Sequence, residues 1–232
     1  MSWLARVLGT RPALAPAQER ALAAYREAPK PDRAAPAGGQ RLVVVDVETS
    51  GLDARKDRLL AIGAIGVRRG AIPLRDGFEV VLRQEQPSAH ENILVHGIDG
   101  TTQRSGTEPA EALARFLAYA GKAPLVAFHA DFDRIMIERA TRPALGLRPV
   151  NTWLDLAVIA PVVFPEHAGA ARTLDDWLRV FGIEHLDRHD ALADALATAQ
   201  LLLVVLARAA RSGAHRLDDL IAASTGHRWI AR

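Results

Sequence analysis

The run VVVDVETSGLD, Val43 to Asp53, restricts the fold of this chain more than any other stretch. Three valines favour a strand, and the Thr-Ser-Gly that follows ends it. A central strand keeps charge off the faces it buries, yet Asp46 and Glu48 lie within this one. Residues two apart on a strand project to one face, so both carboxylates point the same way near the strand end. Like charges this close repel, and at least one tends to keep its proton unless a cation intervenes. Two readings follow from these residues alone. Either the strand end reaches solvent, or the carboxylates share a hard divalent cation such as Mg²⁺ or Mn²⁺, which prefers oxygen ligands.

The surrounding pattern supplies a sheet for this strand. Arg41 to Val47 reads as a first strand, Arg58 to Gly70 as a second, and Gly77 to Arg83 as a third with period-two alternation. Their short, turn-bearing connections predict antiparallel neighbours. Helical periodicity follows at Pro109–Ala120, a strand at Ala123–His129, and helices at Phe132–Ala140, Leu154–Val163, Thr173–Phe181 and Ala191–Ala210. Strands first, then alternating helix and strand, predict an α/β fold with a mixed sheet flanked by helices. Residues 1–40 differ. Pro16 to Ala28 suits a short helix and the run Pro29 to Gly39, PKPDRAAPAGG, a linker, so they read as a loosely attached extension before a domain spanning 41–232.

Composition narrows the chemistry. The chain has no cysteine, which excludes a disulfide framework, a thiol nucleophile and cysteine-ligated zinc, and fits a reducing compartment. Charges are scattered through the N-terminus, and no run approaches the ~18 apolar residues of a membrane span. A cytoplasmic protein with no membrane partner is the expectation. The net charge is only +2, but lysine occurs only at positions 30, 56 and 122 and arginine supplies the rest of the cations. Arginine's planar fork suits phosphate.

Two further segments carry candidate chemistry. In VAFHADFDRIMIERA, Asp131 and Asp133 sit where a strand passes into a helix. Asp131 fits an N-cap, and Asp133 lies in the first turn, where it can face the strand ends. In LDRHDALADALATAQLLL, His189 precedes an amphipathic helix and Asp194 lies about one and a half turns further in. An acid among apolar positions is costly unless paired. Histidine is the side chain suited to moving a proton near neutral pH, although a histidine near a helix cap is more often a surface residue.

Taken together, these segments resemble a known family. DVETSGL resembles the first motif of the DnaQ-like (DEDD) 3′–5′ exonucleases, FHADFD their second, and HDALADA the H-x(4)-D third motif of the histidine subtype. VHGI, Val95 to Ile98, and the stretch LDLAVIAPVVFP with TLDDWLRVFGI are similar to the family's intervening segments, with Asp155 at an acidic position of the pattern. The likeness runs from about Arg41 to Leu206. Phe128-His129 departs from the family's usual His-Asn.

The resemblance implies an RNase H-like mixed five-stranded sheet, three strands antiparallel and the others parallel. It implies two divalent cations, Mg²⁺ or Mn²⁺, on Asp46, Glu48, Asp133 and Asp194, with His189 as general base. It also brings Thr49, Leu52 and His96 to the terminal nucleotide. The implied reaction releases nucleoside 5′-monophosphates from single-stranded or frayed DNA 3′ ends, as in proofreading. An RNA-processing exonuclease and a non-catalytic nucleic-acid-binding or polymerase-associated module are the alternatives. Polymerase association and self-association stay open. Arg55, Arg58, Arg134 and Arg172 are candidates to line a strand-binding groove, and Trp153 and Trp229 to stack on bases. Trp177 reads as core. QLLLV, Gln200 to Val204, has a superficial likeness to sliding-clamp peptides but falls within a helix that needs its leucines for packing.

Overall fold

The structure, a computed structural model, describes residues 13–185 and 189–225. Its centre is the valine-rich strand β1, Leu42–Thr49. β1 pairs antiparallel with β2, Leu59–Val67, which pairs antiparallel with β3, Gly77–Val81. On its other side β1 runs parallel to β4, Leu125–Ala127, and β4 parallel to β5, Trp153–Asp155. The five-stranded order is β3-β2-β1-β4-β5, the mixed sheet expected. The Leu154 helix starts later than predicted: Trp153–Asp155 is drawn into the sheet, and Asp155 then caps helix α6, Leu156–Val163, by accepting from the Ala157 N–H at 2.9 Å.

Alternation along β1 divides the molecule into two cores. Val43, Val45 and Val47 pack with α1 (Pro16–Glu27), α4 (Pro109–Ala120) and α5 (Ala130–Leu145). Leu42 and Val44 face the other side, against α6, α7 (Leu174–Val180), α8 (Ala191–Arg211) and α9 (Leu217–Ser224). Period two then sends Asp46 and Glu48 to this second side, beneath α8. Two short helices, α2 (His90–His96) and α3 (Gly100–Ser105), lie between β3 and α4 and went unanticipated, because seven and six residues are too few to establish a period.

The loose attachment expected for the N-terminal extension does not hold for its described part. Leu22 and Tyr25 of α1 are buried in the first core with Leu113 and Leu117. The Tyr25 hydroxyl donates to Asn151 at 3.0 Å and accepts from the Val150 N–H at 2.9 Å. Beyond α1, the Ala37 N–H donates to His215 and the Leu217 N–H to Ala35, stitching the proline-rich run to the start of α9. Composition made this run look like a linker. Backbone pairing with a segment some 180 residues away holds it down.

α8 is long and apolar enough to cross a membrane by length and composition alone. It is instead a core helix: Ala195, Leu201, Leu202 and Val205 are buried over β1 and β2. Leu201 and Leu202 thus belong to the core, as the periodicity of QLLLV implied, and Trp177 is fully buried with them. The first turn of α8 rests on Gly63 of β2, where a Cβ would come within 2.1 Å of the Ala191 carbonyl carbon. Gly63 is the register partner of Asp46, so this approach sets the helix start above the acidic part of β1.

Two outcomes test this packing. Leu22→Ala should destabilise the protein by about 2–5 kcal/mol, as for a core leucine, measured by urea unfolding; a value below about 0.5 kcal/mol is what a loosely attached helix would give. Gly63→Ala should cost about 1–3 kcal/mol through overpacking, and Gly66→Ala makes an unsuitable control because Asp76 lies equally close.

Candidate active site

The acids gather at the C-terminal end of β1. A carboxylate oxygen from each of Asp46, Glu48 and Asp194 lies within 4.8 Å of the others. Strand period two supplies the first pair. The third arrives from the first turn of α8, whose N-cap is Asp190, accepting from the Ala193 N–H at 2.8 Å. Asp194 is held from behind: its Oδ2 accepts the His189 backbone N–H at 3.1 Å.

Asp133 joins the group from another direction. β4 ends at Ala127, after which the chain turns through His129, in left-handed conformation at φ 65°, into α5. The Val43 N–H donates to Pro124 next to β4, so by period two the Val47 N–H faces the same edge beyond the end of β4. The Asp133 carboxyl lies near that amide, whose dipole works to lower its pKa. Asp133 is 5% exposed and lines a recess with Asp46, but lies outside the tight trio because it enters along the sheet edge. The N-cap role expected of Asp131 falls to His129. Asp131 is exposed and pairs instead with Arg134 at 2.8 Å.

Crowding governs the electrostatics. Burial, then Asp133, Asp194, Glu48 and Asp190, hold the Asp46 carboxyl well above the ordinary range. Burial, then Asp194, Asp190 and Asp133, push Glu48 up to about 8. Burial raises Asp133 as well, despite the Val47 amide. Four carboxyls whose charges oppose one another call for a compensating cation. The donors are all oxygen, which suits a hard divalent ion rather than a soft one.

A cleft of about 440 Å³ opens beside them, lined by Asp46, Glu48, Thr49, Leu52, His96, His189 and Asp194, so the structure unites every predicted site residue but Asp133 on one wall set. His189 is exposed, on the turn before α8 with φ 66°. The Thr49 hydroxyl is spent on the turn, donating to the Gly51 carbonyl at 2.7 Å. Gly51 leaves room there for the Asp57 carboxylate, which accepts from the Asp53 N–H and which a Cβ would approach to 2.5 Å and have to displace. Leu52 is thereby thrust outward, 91% exposed. His96 is a buried wall: its Nδ1 accepts the Ile98 N–H at 3.0 Å, and burial lowers its pKa.

Three further residues line the cleft: Asn92, outside every motif of the sequence, and Val95 and Phe132, which lie within VHGI and FHADFD. Asn92 ties α2 to the turn by donating to the Ser50 carbonyl, Val95 is 54% exposed beside the cleft, and Phe132 lies between the two recesses. Only tertiary contact brings α2 to the turn. Of the four arginines proposed for a groove, Arg134 is engaged by Asp131 and Glu138, and Arg58 donates to the Gln86 carbonyl; Arg55 and Arg172 are exposed. Trp153 is partly buried in the first core, and Trp229 lies outside the described residues.

Comparison with known proteins agrees with this geometry. The PolC-type DNA polymerase III of Bacillus subtilis is 30% identical over 179 residues, 77% of this chain and 12% of that protein. A DNA polymerase III subunit epsilon-like protein of Rhodobacter capsulatus is 31% identical over 167 residues, 71% of this chain and 23% of its own length. The chain therefore spans a minor part of these relatives. Among solved structures, E. coli exonuclease I in complex with a dT13 oligonucleotide aligns with TM-score 0.62 at 20% identity, over 75% of this chain and 42% of that one. Exonuclease X in complex with 5′-overhanging duplex DNA aligns with TM-score 0.61 at 20% identity, over 79% and 99%. Both share the RNase H-like fold. The profile of the RNase T family, described as exonuclease, matches residues 43–202, and those residues carry all three acidic segments: the chain belongs to this family of DnaQ-like exonucleases, and it is a nuclease.

Proposed function

We propose that this exonuclease removes nucleoside 5′-monophosphates from the 3′ ends of single-stranded or frayed DNA. The observation that carries the reading is the convergence of Asp46, Glu48 and Asp194 within 4.8 Å beside a cleft that also holds His189. Two divalent cations, Mg²⁺ or Mn²⁺, held by these three carboxylates and Asp133, would neutralise charge on the phosphoryl oxygens and acidify the attacking water. His189 takes the proton of that water as its oxygen attacks phosphorus, and the bond to the preceding nucleotide's 3′ oxygen breaks in line. The phosphate stays on the released nucleotide. Leu52 and Val95, two exposed apolar side chains flanking the cleft, grip the terminal base, and the Thr49–Leu52 turn meets its sugar. His96 shapes the wall behind.

DNA is favoured over RNA because the relatives of 30% and 31% identity are named as DNA polymerase III proteins, and exonuclease I was solved with an oligonucleotide of thymidines. A proofreading or repair setting beside a polymerase, in the cytoplasm, belongs to the same proposal; the absence of cysteine is consistent with a reducing compartment. The test uses a 5′-labelled strand with Mg²⁺ or Mn²⁺, as DNA and as RNA. Stepwise shortening of DNA is expected. A label released at once as mononucleotide would reverse the polarity, faster RNA shortening would move the enzyme to RNA processing, and no shortening with either metal would leave a binding module.

Asp46→Asn and Asp194→Asn should each lower kcat about a thousandfold, equivalent to about 4 kcal/mol of transition-state stabilisation, with folding retained by circular dichroism. Cation-free protein should also show a distinctive pH profile. Glu48 keeps its proton up to about 8 when folded and has an ordinary value of 4.5 when unfolded, so unfolding releases a proton between those values. Stability therefore falls as pH rises from about 5 to about 8. In EDTA the Tm should drop across that interval, Glu48→Gln should flatten the slope, and Mg²⁺ should restore Tm most at the alkaline end.

A further inference from the structure

Asp194 has a second neighbour that neither the family motifs nor the mechanism uses. His185 lies on the segment between α7 and α8, its ring nine-tenths buried, with Nε2 2.5 Å from Asp194 Oδ1. On the far side of the ring, Nδ1 stands 4.0 Å from Asp175 Oδ1, at the start of α7. Neither ring nitrogen makes a well-aligned hydrogen bond, so the Nε2–Oδ1 approach is a close polar contact of hydrogen-bond length rather than an ideal bond. A buried imidazole without polar partners is costly, and the two ring nitrogens of this one stand beside the carboxylates of Asp194 and Asp175.

The geometry separates His185 from the ligand set. The donor atoms that converge within 4.8 Å come from Asp46, Glu48 and Asp194, and His185 is not among them. It therefore approaches Asp194 from outside the cation site. The Oδ1 of Asp194 meets His185, and its Oδ2 takes the His189 amide. Asp194 stands in the first turn of a helix, where a short side chain still has rotamers to choose from. Contacts on both oxygens restrict that choice.

We propose that His185 is a positioning residue, which holds the Asp194 carboxylate toward Asp46 and Glu48 while Asp175 orients the imidazole. The inference rests on the cation-dependent reading of the site given above. Partners of this kind are worth about 10- to 100-fold in metal affinity.

The experiment measures Mn²⁺ affinity of the full chain by calorimetry and by the electron paramagnetic resonance of free Mn²⁺, alongside kcat, KM for single-stranded DNA and Tm in EDTA. His185→Ala should weaken Mn²⁺ binding about tenfold or more, and lower kcat at limiting Mn²⁺ with recovery at saturating Mn²⁺ and an unchanged KM. His185→Gln, which keeps an N–H near the Nε2 position, should regain most of the affinity. Asp175→Asn, on a partly exposed helix position, should fold normally and weaken Mn²⁺ binding by less than His185→Ala does. Unchanged Mn²⁺ affinity in His185→Ala would overturn the proposal. So would equal losses in His185→Ala and His185→Gln that track a fall in Tm, the signature of packing alone. If the parent chain itself bound no Mn²⁺, the cation site and this inference would both fall; parent binding with an unaltered His185→Ala removes only the inference.

Discussion

Mutual repulsion among buried carboxylates is the constraint on which the rest of this structure depends. Asp46, Glu48, Asp133 and Asp194 meet at one strand end, and burial with neighbouring charge raises Asp46, Glu48 and Asp133. Such a cluster persists only where the scaffold forces it. Two rigid cores clamp the sheet between them, and the acids are placed where β1 outruns β4. A cation held by these oxygens would relieve that repulsion, so the crowding that costs the fold stability is also what would suit it to bind one.

Small backbone details deliver the acids to one another. Gly63 lets α8 descend onto β2, which brings Asp194 over Asp46. β4 ends early, at Ala127, which leaves the Val47 amide near Asp133 rather than paired in the sheet. Gly51 leaves room for the Asp57 carboxylate and so shapes the turn that presents Leu52. Each is an absence, of a side chain or of a strand partner, and each places a residue at the cleft that ordinary packing would have kept away. His185 adds a brace behind Asp194, from a segment that carries no family motif.

Much of the fold was legible because period-two alternation survives into three dimensions. The β1, β2 and β3 strands, and α4, α5 and α8, stand close to where periodicity put them. Misses have physical causes. β5 is three residues long, its strand character supplied by β4 pairing rather than by its own residues. α2 and α3 are too short to show a period. The proline-rich run before Leu42 has the composition of a linker, yet its amides and carbonyls find partners in α9's start. Asp131 looked like a cap because it was an acid at a strand–helix junction; the left-handed turn at His129 moved the helix start two residues earlier.

The sequence by itself determined that Asp46 and Glu48 share a face, because the pleat of a strand admits no other arrangement two residues apart. Its three spaced motifs resemble a family pattern, and that resemblance implies that Asp133, His189 and Asp194 belong with them. Only the tertiary structure decided how they belong. Asp194 completes the tight trio while Asp133 enters along the sheet edge, and His96 serves as a buried wall. Asn92, Val95 and His185 acquire a place at the site at all through contacts between distant segments. Spacing along a chain fixes which residues share an element, whereas the approach of one element to another is set by packing, which no local period encodes.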